Sequence, residues 1–90
     1  MEFEWDESNL RHVARHKIDR SEFEQVLAND PILVDFSDES GEDGWYALGA
    51  TDTLRVLFMV FTYKGARIRP VTAWNAGRKL REAWFRREGT

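Results

Sequence analysis

A chain of 90 residues, 42% hydrophobic and 32% charged with a net charge of −3, has room for one core and reads as a single domain over residues 1–90. With no cysteine there is neither a disulfide scaffold nor a cysteine zinc site, and a cytoplasmic location is expected. The acidic start Met1-Glu2-Phe3-Glu4-Trp5-Asp6 is unlike a signal peptide. The longest strongly apolar run, Val56 to Phe61, falls far short of the roughly 20 residues that cross a bilayer, so no membrane partner is expected.

In chain order, Phe3 to Trp5 alternates apolar and acidic residues and predicts a first strand. Asp6 is placed to cap a helix that runs to His16, with Leu10, Val13 and Ala14 on its apolar stripe. Asp19 and Glu22 have capping-box spacing, and Ile18 and Phe23 sit where a hydrophobic staple would put them. The second helix then runs to about Asn29, burying Phe23, Val26 and Leu27, and Asp30-Pro31 ends it.

Ile32 to Phe36 predicts a strand, Ser37 to Gly44 an acidic loop, and Trp45 to Ala50 and Leu54 to Tyr63 two further strands around a turn at Thr51-Asp52-Thr53. The second of these is apolar on both faces, as a central strand is. Lys64-Gly65 is a turn signal. Arg67 to Trp74 follows as a strand in which Pro70 calls for an edge position or a bulge. Ala76 to Glu88 closes the chain as a helix, with Ala76, Leu80, Ala83 and Trp84 on one face. Helices at both ends of a run of strands predict an α+β fold: two N-terminal helices, an antiparallel sheet of about four strands and a C-terminal helix.

Charge is unevenly spread. Residues 1–63 hold 5 Lys/Arg against 14 Asp/Glu, and residues 64–90 hold 8 against 2. A basic end of this kind suits an anionic partner such as a phosphate backbone. The plain alternatives are that the two halves attract each other and that the last helix is a solvated face.

The segment Glu4-Trp5-Asp6-Glu7, then Asn9, then His12-Val13-Ala14-Arg15-His16 resembles the opening motif of the BrnT-type toxins. The acidic loop, the hairpin Trp45–Tyr63 and the run Ile68-Arg69-Pro70-Val71-Thr72-Ala73 resemble the rest, so the likeness covers almost the whole chain. It implies a RelE-like fold and endoribonuclease activity with no metal and no cofactor. It implies an RNA substrate, a BrnA-type antitoxin as partner, and DNA contact only through the toxin–antitoxin complex. Two positions depart from the pattern. Lys17 stands where Gly is usual, and Trp74-Asn75 stand where an Arg pair is commoner. That second departure motivates an alternative, a catalytically weak or inactive relative acting as a protein-binding module.

Metal-free RNA cleavage needs a base for the 2′-hydroxyl, an acid for the leaving oxygen and cations around the phosphate. His12 and His16, the two histidines of the chain, share a helix face at i, i+4 and are candidates for proton transfer. They also suit a polar helix face, and a metal pair whose further ligands are lacking. Arg69 is the catalytic candidate among the arginines, since a guanidinium grips phosphate with two hydrogen bonds. Arg67 lies on its side of the strand, and Arg55, at the start of the neighbouring strand, is expected to converge with both. Arg78 and Lys79 open the last helix, where an anion is favoured. Against these stands the plain reading of turn-flanking or solubilising charges. Trp74 can stack on an unpaired base or serve as core or partner interface. Trp5, Trp45 and Trp84 are assigned to packing. Asp35, Asp38, Glu39, Glu42 and Asp43 read as a solvated acidic loop that can also meet a basic partner segment.

Overall fold

The computed structural model describes residues 1–37 and 43–88. Its elements are α1 (Glu7–Arg15), α2 (Arg20–Ala28), β1 (Ile32–Ser37), β2 (Asp43–Ala50), β3 (Val56–Lys64), β4 (Arg67–Asn75) and α3 (Arg78–Glu88). The four strands form one antiparallel sheet in chain order, β1-β2-β3-β4. The fold is the expected α+β arrangement, two helices before the sheet and one after it.

Both N-terminal helices start at reciprocal caps. The Asp6 carboxylate accepts from the Asn9 N–H, and the Asn9 side chain accepts from the Asp6 N–H, each at 2.8 Å. Asp19 and Glu22 repeat the device at the start of α2. Each cap satisfies N–H groups that a helix start leaves unpaired.

Helix α1 ends in a Schellman motif. The Lys17 N–H donates to Ala14 O at 3.0 Å and the Ile18 N–H to Val13 O at 3.1 Å. Lys17 takes φ 58°, the left-handed conformation in which a side chain is strained and glycine is not. A glycine at this position would carry no such strain.

The apolar stripes of α1 and α2 meet one face of the sheet. Val13, Ile18, Phe23, Val26 and Leu27 pack on Ala47, Leu57, Met59, Phe61, Ile68 and Ala73. Phe23 and Phe61 are fully buried, and each stabilises the fold by about 2–3 kcal/mol relative to exposure. On the other face Trp84 of α3 packs with Leu48, Ala50, Val56 and Ala76. That cluster covers only the end of the sheet where β2 finishes and β3 begins. Leu10, Ala14 and Leu80, expected in contact with the core, are exposed; Val13 and Trp84 are buried as expected, with Ile18 beside them.

The expected first strand is reduced to one parallel bridge, Phe3 with Ile68. The Ile68 N–H and C=O are both taken, by Glu2 O and the Glu4 N–H. The next outward-facing residue on that edge is Pro70, which has no N–H to continue the ladder. Pro70 also marks a bulge: Val60 pairs with Thr72 and Phe61 with Pro70, leaving Val71 as the extra residue. The β3–β4 hairpin closes through Gly65 at φ 61°, the residue a primed two-residue turn requires.

Candidate active site

Helix α1 lies along β4, and a cleft of about 340 Å³ separates its polar side from that strand. Asp6, Ser8, Asn9 and His12 line it from α1 and its cap, and Thr62, Arg69, Pro70 and Val71 from the sheet. His12 and Arg69 thus come from opposite ends of the sequence to one groove. The bulge at Val71 displaces β4 at that point, as bulges beside functional sites do. Arg69 is exposed and also lines a larger cleft of about 900 Å³ with Thr62, Tyr63 and Lys64. Arg69 and Thr62 are therefore shared by the two clefts.

His16 lies one helical turn beyond His12, about 6 Å along the axis. As the C-cap of α1 it reaches the other end of β4, where its ring centroid is 6.4 Å from that of Trp74 at 54°. His12, His16, Arg69 and Trp74 therefore share one border, the seam between α1 and β4.

The other cations expected at the phosphate do not all gather at Arg69 and His12. Arg55 was expected beside Arg67 and Arg69, but antiparallel pairing sets the start of β3 against the end of β4. Arg55 Nε donates to Asn75 Oδ1 at 2.8 Å, whereas Arg69 pairs with Thr62 at the far end of the hairpin. Six residues of strand, roughly 20 Å, separate the two ends. The rest of the Arg55 guanidinium is spent inside the protein. It donates to both oxygens of Glu22 at 3.0 Å, to Lys17 O at 2.8 Å and to His16 O at 3.3 Å. Arg55 clamps the α1–α2 junction to the sheet and has little left for a phosphate.

Arg67 shares a sheet face with Arg69, as expected, and lies 3.6 Å from a carboxylate oxygen of Glu2. Arg78 opens α3 at the opposite end of β4 and bonds Glu82 at 3.2 Å; Lys79 follows it, exposed. The expected convergence of Arg55 with Arg67 and Arg69 is therefore not found. The cations divide between the two ends of the β3–β4 hairpin, and Arg69 lines a cleft together with His12.

Trp5 donates Nε1–H to Glu24 at 2.8 Å and meets Phe23 edge-on, Trp45 packs against the core and Trp84 is buried; all three serve packing. Asp35 and Asp43 are exposed, the latter accepting from the Ser37 hydroxyl. Asp38, Glu39 and Glu42 lie outside the described residues. Among the described residues no three His, Asp or Glu come together as metal ligands. The reading of residue types passed over Thr62, Val71 and Ser8 on the cleft wall. Strand alternation carries a signal for Thr62 and Arg69 sharing a face, but only once the register is known.

The family model for the ribonuclease toxin, BrnT, of type II toxin–antitoxin systems matches residues 5–79. That span takes in His12, His16, Arg55, Arg69 and Trp74 and leaves most of α3 beyond it. A search of curated proteins found no match.

Proposed function

Because the chain belongs to the BrnT family of ribonuclease toxins of type II toxin–antitoxin systems, we propose that it cleaves RNA without a metal ion, in the seam between α1 and β4. The observation that carries this is the shared cleft of His12 and Arg69. Arg69 holds the scissile phosphate by two hydrogen bonds and stabilises the charge that builds on it. His12 takes the proton from the 2′-hydroxyl, and that oxygen attacks phosphorus. The bond to the 5′-oxygen breaks as His16, one turn along, protonates the leaving group. The products are a 2′,3′-cyclic phosphate and a 5′-hydroxyl. Trp74 contacts a neighbouring base beside His16, and Arg67 adds charge at the outer end. Arg78 and Lys79 steer the strand from the far end of β4. The whole acts as one RelE-like domain in the cytoplasm, restrained by a BrnA-like antitoxin that supplies any contact with DNA.

Expression without a partner should arrest growth, and Arg69→Ala should relieve the arrest. Cleavage by the purified protein should survive EDTA. Arrest by Arg69→Ala equal to that of the wild type, or cleavage abolished by EDTA, would refute the reading.

One observation favours a second reading. Of the cations expected at the phosphate, Arg55 is bonded to Glu22 and Asn75 and Arg78 to Glu82, which leaves a sparse site. A catalytically weak member that acts through protein binding is the consequence. Nuclease-free protein that leaves mRNA intact, both free and on ribosomes, would decide for it.

A further inference from the structure

The sheet face under α3 is open beyond the Trp84 cluster, and a row of aromatic rings crosses it. Phe36, Tyr46, Phe58 and Trp74 come one from each strand. Successive centroids are 4.6, 5.4 and 5.0 Å apart at 31–43°. These spacings are close to the distance between neighbouring strands, about 4.8 Å. Rings lying flat side by side would be held more than about 6 Å apart by contact of their edge carbons. The rings therefore stand upright on the sheet with faces turned to each other; Phe58 also packs against the Trp84 cluster, and Tyr46 is the exposed ring of the four. Tyr46 is 37% exposed, and Val34, its partner in register on β1, is 55% exposed. The result is an apolar ridge with cations on its β3–β4 side and on the neighbouring helix α3. Lys64, Arg67 and Arg69 stand at the hairpin end, and Lys79, Arg81 and Arg86 are exposed on α3.

We propose that this ridge docks the antitoxin, through an amphipathic segment with apolar side chains at its centre and carboxylates toward the cations of β3 and β4. The existence of that partner rests on the toxin–antitoxin reading above; the choice of surface rests on the ring geometry and the charge. Nucleic-acid bases bind aromatic side chains through exposed ring faces, and here neighbouring rings occupy the faces of Tyr46 and Phe58 at the centre of the row. A corrugated ridge of ring edges instead fits aliphatic and aromatic side chains, the usual centre of a protein interface. Lys64, Arg67 and Arg69 on the same sheet face select a partner segment with carboxylates on that side. Trp74 belongs both to the ridge and to the α1–β4 seam, so a segment seated on the ridge also closes the border where His16 and Arg69 lie. Docking and neutralisation become one event.

The test compares the full chain with Val34→Ser/Tyr46→Ala, two exposed positions outside the proposed cleavage groove. Three quantities are measured: affinity for the antitoxin expressed from the same operon, affinity for a single-stranded 12-nucleotide RNA, and the thermal midpoint. The double variant should lose antitoxin affinity at least tenfold, as truncation of a central tyrosine in an interface does. RNA binding should stay within twofold. A variant that melts like the parent and keeps its antitoxin affinity overturns the proposal. So does one that loses the RNA and keeps the antitoxin, or one whose only change is in self-association.

Because the chain has no cysteine, Val34→Cys and Leu33→Cys can each carry a polarity-sensitive dye. Leu33 is 47% exposed on the opposite face of the same strand. Antitoxin should shift the dye at position 34 and leave the one at 33 unchanged; the reverse, or no shift at either, overturns the proposal even if the double variant misfolds. A protein that cleaves no RNA yet passes both tests would sink the nuclease reading and leave this one standing.

Discussion

Replacing Arg55 by Ala should cost the fold much and the RNA contact little beyond that. The guanidinium bonds Glu22, Asn75 and the carbonyls of His16 and Lys17, with the side chains of Arg55 and Glu22 only 28% and 21% exposed. A hydrogen bond to a charged group is worth about 1.5–3 kcal/mol net, and removing one partner leaves the others desolvated. Partial exposure and the shared donor make these bonds less than additive, so a total of about 3 kcal/mol is expected. For a domain of this size that lowers the thermal midpoint by roughly 15 °C. The assay is thermal or urea unfolding of the wild type, Arg55→Ala, Glu22→Ala and the double variant. The two single losses should overlap, with a coupling of about 1 kcal/mol or more. An Arg55→Ala protein that unfolds like the wild type while losing RNA affinity would refute the structural role and restore Arg55 to the phosphate site.

Lys17→Gly should stabilise the protein by about 0.5–1 kcal/mol in urea unfolding, since it relieves the strain at φ 58° while keeping the Schellman bonds; a destabilised variant would contradict this. Asp19→Ala should cost about 1 kcal/mol at neutral pH through loss of the α2 cap. Hydrogen bonds from the Glu22 N–H and then from the Ser21 hydroxyl hold the Asp19 carboxyl below its ordinary value of 3.8. Its charged-state contribution is therefore complete above that value and fades as pH falls through the lower folded value. The gap between wild type and Asp19→Ala should narrow in acid and stay constant above about pH 5; a gap that widens in acid would reverse the sign. Leu54→Gly should be stabilising, because Leu54 is exposed and takes φ 66° with a side chain that gains little from it; equal or lower stability would contradict this.

Local chemistry was legible in the sequence. The caps at Asp6 and Asp19 depend on residues three apart, and the bulge depends on what Pro70 lacks. The central position of β3 follows from its two apolar faces. The strand expected at Phe3 failed because the edge it would join is interrupted by that same proline two residues along, a tertiary fact. The α1–β4 seam was half legible. His12 and His16 were picked out by type and spacing, but nothing in α1 says that it lies against β4. Arg55 misled because guanidinium chemistry suits a phosphate and a Glu22–Asn75 clamp equally well. Antiparallel pairing decides between them by placing it opposite Asn75. The aromatic ridge was invisible for a similar reason: Phe36, Tyr46 and Phe58 are spread over three strands and meet only through the register.

The central claim is that His12 and Arg69 act on one phosphodiester. Single-turnover cleavage of an end-labelled, unpaired RNA in EDTA, with the new ends identified, tests it directly. The wild type should yield 2′,3′-cyclic phosphate ends. His12→Ala and Arg69→Ala should each slow the reaction by about 10²-fold or more while melting within a few degrees of the parent. Cleavage at the parental rate by either variant, or ends bearing a 5′-phosphate, would contradict it.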